Sequence, residues 1–286
     1  MSQQTAPTNS RRWIIRLLKL LVLLIVLWAG HRTISRGIEE FEQNGHRLDQ
    51  IEPQWLLLSA GIYLFSQLPC GLFWRRILLS MGQRVTTWRT LRAYYIGHLG
   101  KYVPGKAMVV LLRAGLIRGP GVETGPVVAA IFYETLSTMA IGSLLGTVLL
   151  FFLDPIPWKI VLIGLGMSLG TGLPTVPLVF NVLLHVLRKD RDKEAAQSSI
   201  NGESKEIEPA AKLTFRKLAP GWPGLVIGWI LAGLSLWACT RAMFPDAPGP
   251  AEGLVLYISA VTLSVVAGFV SMLPGGVGVR EVVLLT

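Results

Sequence analysis

The sequence predicts an all-α polytopic membrane protein with about six transmembrane helices, one re-entrant hairpin and the start of a second broken helix. Three observations lead to this fold class. Hydrophobic residues make up 51% of the chain and charged residues only 15%, which is far more apolar than a soluble domain. Several apolar runs reach the ~20 residues that cross ~30 Å of hydrocarbon. The cations collect in alternate loops, as the positive-inside rule describes.

The spans are predicted from apolar runs. They cover residues 13–30, 55–73, 126–153, 160–187, 223–243 and 253–273. The first run is interpreted as an uncleaved helix, because Trp28 stands where a signal peptide would carry a small residue before its cleavage site. The fourth run contains Pro174 and Pro177, so a break is expected in it.

Charge in the loops sets the orientation. The N-terminus and loop 74–92 are basic, whereas loop 31–53 carries more acids than arginines. The N-terminus is therefore predicted to be cytoplasmic, in an inner or plasma membrane. A single crossing by residues 93–117 would place the basic loop 188–222 on the outer side, which the positive-inside rule disfavours. The segment also holds several cations, so we predict a re-entrant hairpin, broken at Pro104 and Gly105.

Three regions follow from this topology. Residues 1–187 form an N-terminal membrane half, 188–222 a polar and disordered cytoplasmic linker, and 223–286 a C-terminal membrane half. Residues 274–281 would begin the second broken helix. The chain stops at Thr286 within a new apolar run, and we therefore expect its C-terminal end to be truncated.

Side-chain packing is predicted by two further patterns. Glycines four residues apart should let helices approach closely; these are Gly142/Gly146, Gly166/Gly170 and Gly224/Gly228. Tryptophans near the ends of the runs should form an aromatic belt; these are Trp55, Trp74, Trp158 and Trp222.

The two Pro-Gly segments, 104–106 and 274–281, are the candidate binding elements. A proline opens a helix without losing a hydrogen bond, and the following glycines let a ligand approach the backbone. Exposed N–H groups and nearby cations then favour an anion. The alternative is that each segment only turns the chain at the interface. The predicted head-group site comprises Lys101, Pro104, Gly105, Lys106, Arg113, Pro274, Gly275, Gly276, Gly278 and Arg280.

Glu134 lies in the 126–153 run, about 12 Å deep at 1.5 Å per residue. A carboxylate at that depth should face the protein interior with a partner. Arg113, Arg280 and Lys101 are the candidates. An ion pair between Glu134 and its partner would either be structural or have a function. The functional alternatives are recognition of a head-group amine and relay of a proton, and Glu281 is a second acid that could serve them.

No catalytic residue, metal site or cofactor is predicted. The chain has no Walker loop, His-Glu-x-x-His or Cys-x-x-Cys motif. Cys70 and Cys239 lie far apart within apolar runs, which supports neither a disulfide nor a zinc site. The net charge of +10 follows the loops rather than a surface patch, so nucleic acid is not an expected partner.

Three motifs resemble those of the lysylphosphatidylglycerol synthase transmembrane, or flippase-like, family. They are GHLGKYVPGK at 97–106 with Arg113, the Glu134 segment, and PGGVGVRE at 274–281. The resemblance implies an inner-membrane domain that acts on lipids. In some relatives it translocates aminoacylated phospholipid, and in others it accompanies lipid-linked glycosyl transfer or hopanoid metabolism. Thr135 stands where the family usually has arginine, which puts a salt bridge carried over from the family in doubt. No polar stretch of the sequence is long enough for an aminoacyl-transferase domain, so we do not expect this chain by itself to synthesise a lysyl-lipid.

The leading hypothesis is a flippase-like protein that translocates or binds an anionic, phosphate-bearing lipid head group in a cavity between broken helices. Its partners would be membrane lipids. The alternative is a membrane-embedded or lipid-presenting component of a glycosyltransferase or lipid-modifying enzyme, which would then be its partner. A scaffold subunit without transport is the third possibility.

Overall fold

The computed structural model describes residues 51–102, 107–155, 158–182 and 213–271, with isolated positions between 24 and 43. Every regular element in these ranges is helical. The helices are α1 (Pro53–Ser80), α2 (Thr87–His98), α3 (Ala107–Leu116), α4 (Thr124–Leu149), α5 (Trp158–Gly172), α6 (Phe215–Leu218), α7 (Trp222–Met243) and α8 (Pro250–Val270). The predicted all-α membrane class is confirmed.

Four helical stretches in the described ranges are long and apolar enough to cross a membrane. They are Pro53–Ser80, Thr124–Phe152, Phe215–Met243 and Pro250–Val270, with mean hydropathy between 1.6 and 2.2. They coincide with four of the predicted runs. The 13–30 run lies outside the described ranges. The 160–187 run is interrupted as predicted, because α5 ends at Gly172 and a 3₁₀ turn, Leu173–Thr175, precedes the next helical residues at 177–182.

The spanning helices form one packed bundle. Helix α1 packs along α7, and α8 contacts both α7 and α4. Ser59 and Ser235 lock α1 to α7, since each hydroxyl donates to the other residue's carbonyl, at 2.8 and 2.9 Å. Where α4 meets α7, Gly142 lies against the ring of Trp229. Helices from the two predicted halves therefore share their main interfaces.

The small-residue pairs are only partly used as predicted. Gly142 and Gly146 contact α7 and α8, and Gly228 contacts the backbone of α1. The prediction for Gly166 and Gly170 is not met within the described ranges, where no atom lies within 4 Å of the position that their side chains would take. Their helix, α5, instead approaches α4 through Gly164, which lies against Thr147.

The end of the predicted linker is ordered. Leu213 and Leu218 are buried in the main core cluster. Asn181 donates to the carbonyl of Leu213 at 3.0 Å and accepts from its backbone N–H at 3.3 Å. Residues 213–222 therefore belong to the bundle, and the predicted linker extends too far at its C-terminal end. The prediction followed the polar composition of the segment and did not take its two leucines into account. Residues 183–212 of the linker lie outside the described ranges.

The predicted 93–117 hairpin is a pair of antiparallel helices, α2 and α3. Three contacts along its length establish the direction. The Arg89 side chain donates to the carbonyl of Arg118, Gly97 lies against Arg113, and Gly100 lies against Val109. We call the end near Thr87 and Leu116 the base, and the opposite end the tip. Both arms return to the same end of the bundle, while the depth of the hairpin in a bilayer stays a prediction.

Candidate functional site

A buried ion pair fastens the hairpin to the bundle. Arg113 Nη1 on α3 lies 2.7 Å from Glu134 Oε2 on α4, and the side chains are only 4% and 3% exposed. The other carboxylate oxygen accepts hydrogen bonds from Tyr94 at 3.1 Å and Thr138 at 3.3 Å. Each carboxylate oxygen therefore has a hydrogen-bond donor from the protein, and the charge of the carboxylate is compensated by Arg113.

Two aromatic rings enclose the guanidinium of Arg113. Its Cζ lies 4.0 Å from the ring centroid of Tyr94 and 5.5 Å from that of Trp74. Trp74 is completely buried, so its prediction as a belt residue was wrong: the hairpin covers the face of α1 on which it lies. Cation–π contacts of this kind are strongest when both groups are desolvated.

Gly97 makes this arrangement possible. A side chain at this position would meet Cγ of Arg113 and, at 3.3 Å, its backbone nitrogen. Glycine therefore lets α3 lie directly against α2 and lets the guanidinium reach Tyr94 and Glu134. The glycine was noticed in the sequence only as part of a motif, and its contact with Arg113 depends on the tertiary structure.

The partner of Glu134 is the first of its predicted candidates. Arg113 comes from the hairpin, 21 positions earlier in the chain, so Glu134 has a salt bridge although Thr135 replaces the arginine expected beside it. The hydroxyl of Thr135 donates to the carbonyl of Ile131 at 2.9 Å. Arg113 was also predicted to hold a head group. Its side chain is only 4% exposed, and its role in binding a head group stays a prediction.

A second polar group lies closer to the tip, and we call Tyr63, His98 and Lys101 the tip cluster. Lys101 Nζ donates to the hydroxyl of Tyr63 at 2.7 Å and lies 5.2 Å from the centre of its ring. The same hydroxyl lies 3.4 Å from Nε2 of His98. All three residues are partly exposed. Lys101 was predicted from the sequence, whereas Tyr63 and His98 were given no role.

The tip cluster is connected to the buried pair through Tyr94. The rings of Tyr94 and His98 are stacked, with centroids 6.1 Å apart and an interplanar angle of 19°. Tyr94 in turn donates to Glu134. A change that displaces the buried pair should therefore also move His98.

The tip cluster lies far from the base of the hairpin. Lys101 is about 20 Å along the helical rise from Thr87 at the base, and Tyr63 is about 15 Å along α1 from Pro53. With the base at the membrane surface, as predicted, these distances would put the cluster near the middle of a hydrocarbon layer of ~30 Å. Cations at such a depth are rare and usually face a polar cavity or a binding path.

The remaining predicted site residues lie outside the described ranges. They are Pro104, Gly105, Lys106, Pro274, Gly275, Gly276, Gly278, Arg280 and Glu281. Within the described ranges, no three His, Cys, Asp or Glu side chains are grouped so that they could hold a metal ion.

Comparison with known proteins gives one match. No curated protein and no solved structure matches the chain significantly. The family model described as the lysylphosphatidylglycerol synthase TM region matches residues 14–286, which is nearly the whole sequence. The chain therefore belongs to the lysylphosphatidylglycerol synthase transmembrane-region family, a family of membrane proteins.

Proposed function

We propose that this protein binds the phosphate-bearing head group of a membrane lipid at the tip of the α2–α3 hairpin and translocates it across the bilayer. One observation carries the proposal: a partly exposed lysine, Lys101, is held about 20 Å from the hairpin base. Cations at mid-membrane depth are rare; they face the protein interior or a polar cavity, and they often mark a binding path. Membership of a membrane protein family is consistent with a lipid-related role.

The buried pair has a supporting role in this proposal. Arg113 and Glu134 are almost completely buried, and they fix the hairpin so that its tip is presented at a constant depth. The phosphate is met by Lys101, together with Lys106 and Arg280 from the two Pro-Gly segments. Pro104, Gly105 and residues 274–278, which lie outside the described ranges, are assigned to the same site from the sequence alone.

The proposed orientation places the hairpin base on the cytoplasmic side of the inner membrane. Arg84, Arg89 and Arg118 lie at this end. The backbone N–H of Arg84 donates to the carbonyl of Gly121 at 3.0 Å, and Glu123 N–H donates to Gln83 at 2.6 Å, which closes the base. A cluster of arginines beside a membrane segment is typical of the cytoplasmic face.

The test is leaflet exchange in liposomes that contain the purified chain and labelled phosphatidylglycerol or phosphatidylcholine. Replacing Lys101 with methionine removes a charged hydrogen bond worth about 1.5–3 kcal/mol, so exchange should slow about tenfold or more. Arg280→Ala should slow it as well. Arg92→Met is the matched control, because it removes an exposed cation from the same hairpin.

Exchange that is unchanged in folded Lys101→Met and Arg280→Ala proteins contradicts the proposed site. No exchange of any lipid by the well-folded wild-type chain contradicts transport. In that case a lipid-presenting component of a glycosyltransferase or lipid-modifying enzyme becomes the leading hypothesis, and conversion of a lipid-linked donor in the presence of such an enzyme is the next measurement.

A further inference from the structure

Arg75 is a half-buried arginine near the C-terminal end of the spanning helix α1. Its Nε atom is buried without a hydrogen-bond partner, and no hydrogen bond or ion pair joins its guanidinium to another residue of the described ranges. Its sequence neighbour Arg76, in contrast, donates from Nε to the carbonyl of Lys217. Because removing a guanidinium from water is costly unless an acceptor compensates for it, Arg75 is a candidate for binding a ligand.

Arg75 lies at the edge of the interface between α1 and α2. Gly71, one helical turn earlier on the same side of α1, lies against Leu91 of α2. Nearer the hairpin tip, the hydroxyl of Tyr95 donates to the carbonyl of Leu64 at 2.7 Å. The two helices are therefore antiparallel, and Arg75 lies at the level of the first turn of α2.

The surroundings of Arg75 suit a phospholipid. Trp88, in the first turn of α2, is 78% exposed, as is typical of a tryptophan at a membrane interface. On α1, Leu64, Leu68 and Leu72 precede Arg75 at spacings of four, four and three residues, so they form one stripe with it. Leu64 and Leu72 are 56% and 43% exposed. A cation at the end of an apolar stripe matches the order of a phosphate and an acyl chain.

We propose that Arg75, Trp88 and the three leucines form a lateral site that binds a membrane phospholipid. The guanidinium of Arg75 binds the phosphate with two parallel N–H donors, and the leucine stripe contacts an acyl chain. Basic pockets beside membrane helices bind lipid head groups in this way. The lateral site goes beyond the proposed function and is separate from the tip cluster, because Arg75 is about 18 Å along α1 from Tyr63.

Photolabelling locates the lipid directly. The purified full chain in mixed micelles is irradiated with a phosphatidylglycerol that carries a diazirine in its acyl chain, and the labelled residues are identified by mass spectrometry of peptides. The label should fall on α1 between Leu64 and Leu72, and unlabelled phosphatidylglycerol should displace it. Glycerol phosphate lacks the acyl chains and diacylglycerol lacks the phosphate, so neither should displace the label even at about tenfold higher concentration.

Three substitutions test the role of the guanidinium. Arg75→Met should reduce the displaceable labelling about fivefold to tenfold, which is the effect of losing a hydrogen bond to a charged group. Arg75→Lys keeps the charge without the planar fork, so its loss should be intermediate. Arg216→Met is the matched control and should label like the wild type. It removes an exposed arginine from α6, which packs against α1.

Thermal unfolding of delipidated protein separates a ligand-binding role from a structural one. Because no described residue binds the guanidinium of Arg75, lipid-free Arg75→Met should unfold at the temperature of the wild type or above it. Added phosphatidylglycerol should raise the unfolding temperature of the wild type and of Arg216→Met more than that of Arg75→Met, since a ligand stabilises only the form that binds it.

Four results would overturn the lateral site. Equal loss of labelling in Arg75→Met and Arg216→Met would show general attraction to the basic end of the bundle. Displacement by glycerol phosphate would assign Arg75 to a free anion, and displacement by diacylglycerol would assign the stripe to apolar contact alone. A lipid-free Arg75→Met protein less stable than the wild type would show a structural role.

The lateral site and the proposed function fail separately. Labelling that depends on Arg75, together with leaflet exchange that is insensitive to Lys101→Met, supports the lateral site and contradicts the proposed function. Leaflet exchange that needs Lys101, together with labelling that is insensitive to Arg75→Met, supports the proposed function and overturns the lateral site.

Discussion

The buried pair makes a specific prediction about stability. Replacing Glu134 with glutamine keeps the side-chain shape but leaves the guanidinium of Arg113 buried and uncompensated, with the two side chains only 3% and 4% exposed in the native protein. Breaking a buried pair by removing one partner costs about 3–5 kcal/mol. Arg113→Met should cost a similar amount, because it leaves the carboxylate with hydroxyl donors alone.

The double variant distinguishes pairing from general disruption. In Arg113→Met/Glu134→Gln no buried charge remains, so its loss should be smaller than the sum of the single losses by about 2 kcal/mol, within the range for directly coupled residues. The free energy of unfolding is measured in mixed micelles of a mild detergent and dodecyl sulfate. Glu123→Gln, an exposed residue before α4, is the charge-matched control and should change stability by no more than about 0.5 kcal/mol.

Losses that add to within about 0.5 kcal/mol would refute the coupling. So would a Glu134→Gln variant as stable as the control, because a buried guanidinium without its carboxylate cannot be free of cost. Lipid exchange measured on the double variant adds a further result. If the pair serves only to hold the hairpin, the double variant should exchange lipid better than either single variant.

Two further predictions concern helix contacts. Gly100→Ala should destabilise the protein by about 1–3 kcal/mol, because its side chain would meet the backbone of Val109 at 2.8 Å; Gly166→Ala, with open space around it, should be neutral or stabilising by up to about 1 kcal/mol. Ser59→Ala should cost about 0.6 kcal/mol and at most about 1.7 kcal/mol, the range for hydrogen bonds between membrane helices. Adding Ser235→Ala should cost about the same again, because its hydroxyl donates to a different acceptor, the carbonyl of Ser59. Unfolding in mixed micelles measures all of these; a destabilised Gly166→Ala protein, a neutral Gly100→Ala protein or a serine double variant as stable as the wild type would contradict the packing.

Much of the fold could be predicted because hydropathy and charge act locally along the chain. A run of apolar residues of sufficient length forms a helix in lipid whatever its neighbours, since every backbone group must be bonded internally. The same holds for the interruption at Pro174, which follows from the missing N–H of proline. Counting basic loops also predicted that residues 93–117 turn back, and their helices are antiparallel.

Predictions that depend on which helix face meets which neighbour were less successful. Trp74 resembles an interfacial tryptophan by position, yet the hairpin covers it. Gly166 and Gly170 have the spacing of a helix interface, but no neighbour in the described part of the chain contacts them. Leu213 and Leu218 lie in a polar stretch and nevertheless reach the core. The spacing of residues along one helix shows which of them share a face, but it does not show which neighbouring helix covers that face.

The sequence by itself determined that this is a helical membrane protein, that a hairpin carries Lys101 and Arg113, and that Glu134 needs a partner. Only the tertiary structure decided that Arg113 is that partner and that the pair is buried rather than open to a ligand. It also brought Tyr63 and His98 beside Lys101. The physical reason is that hydrophobicity and backbone bonding are properties of a segment, whereas charge compensation depends on the distance between groups from different helices.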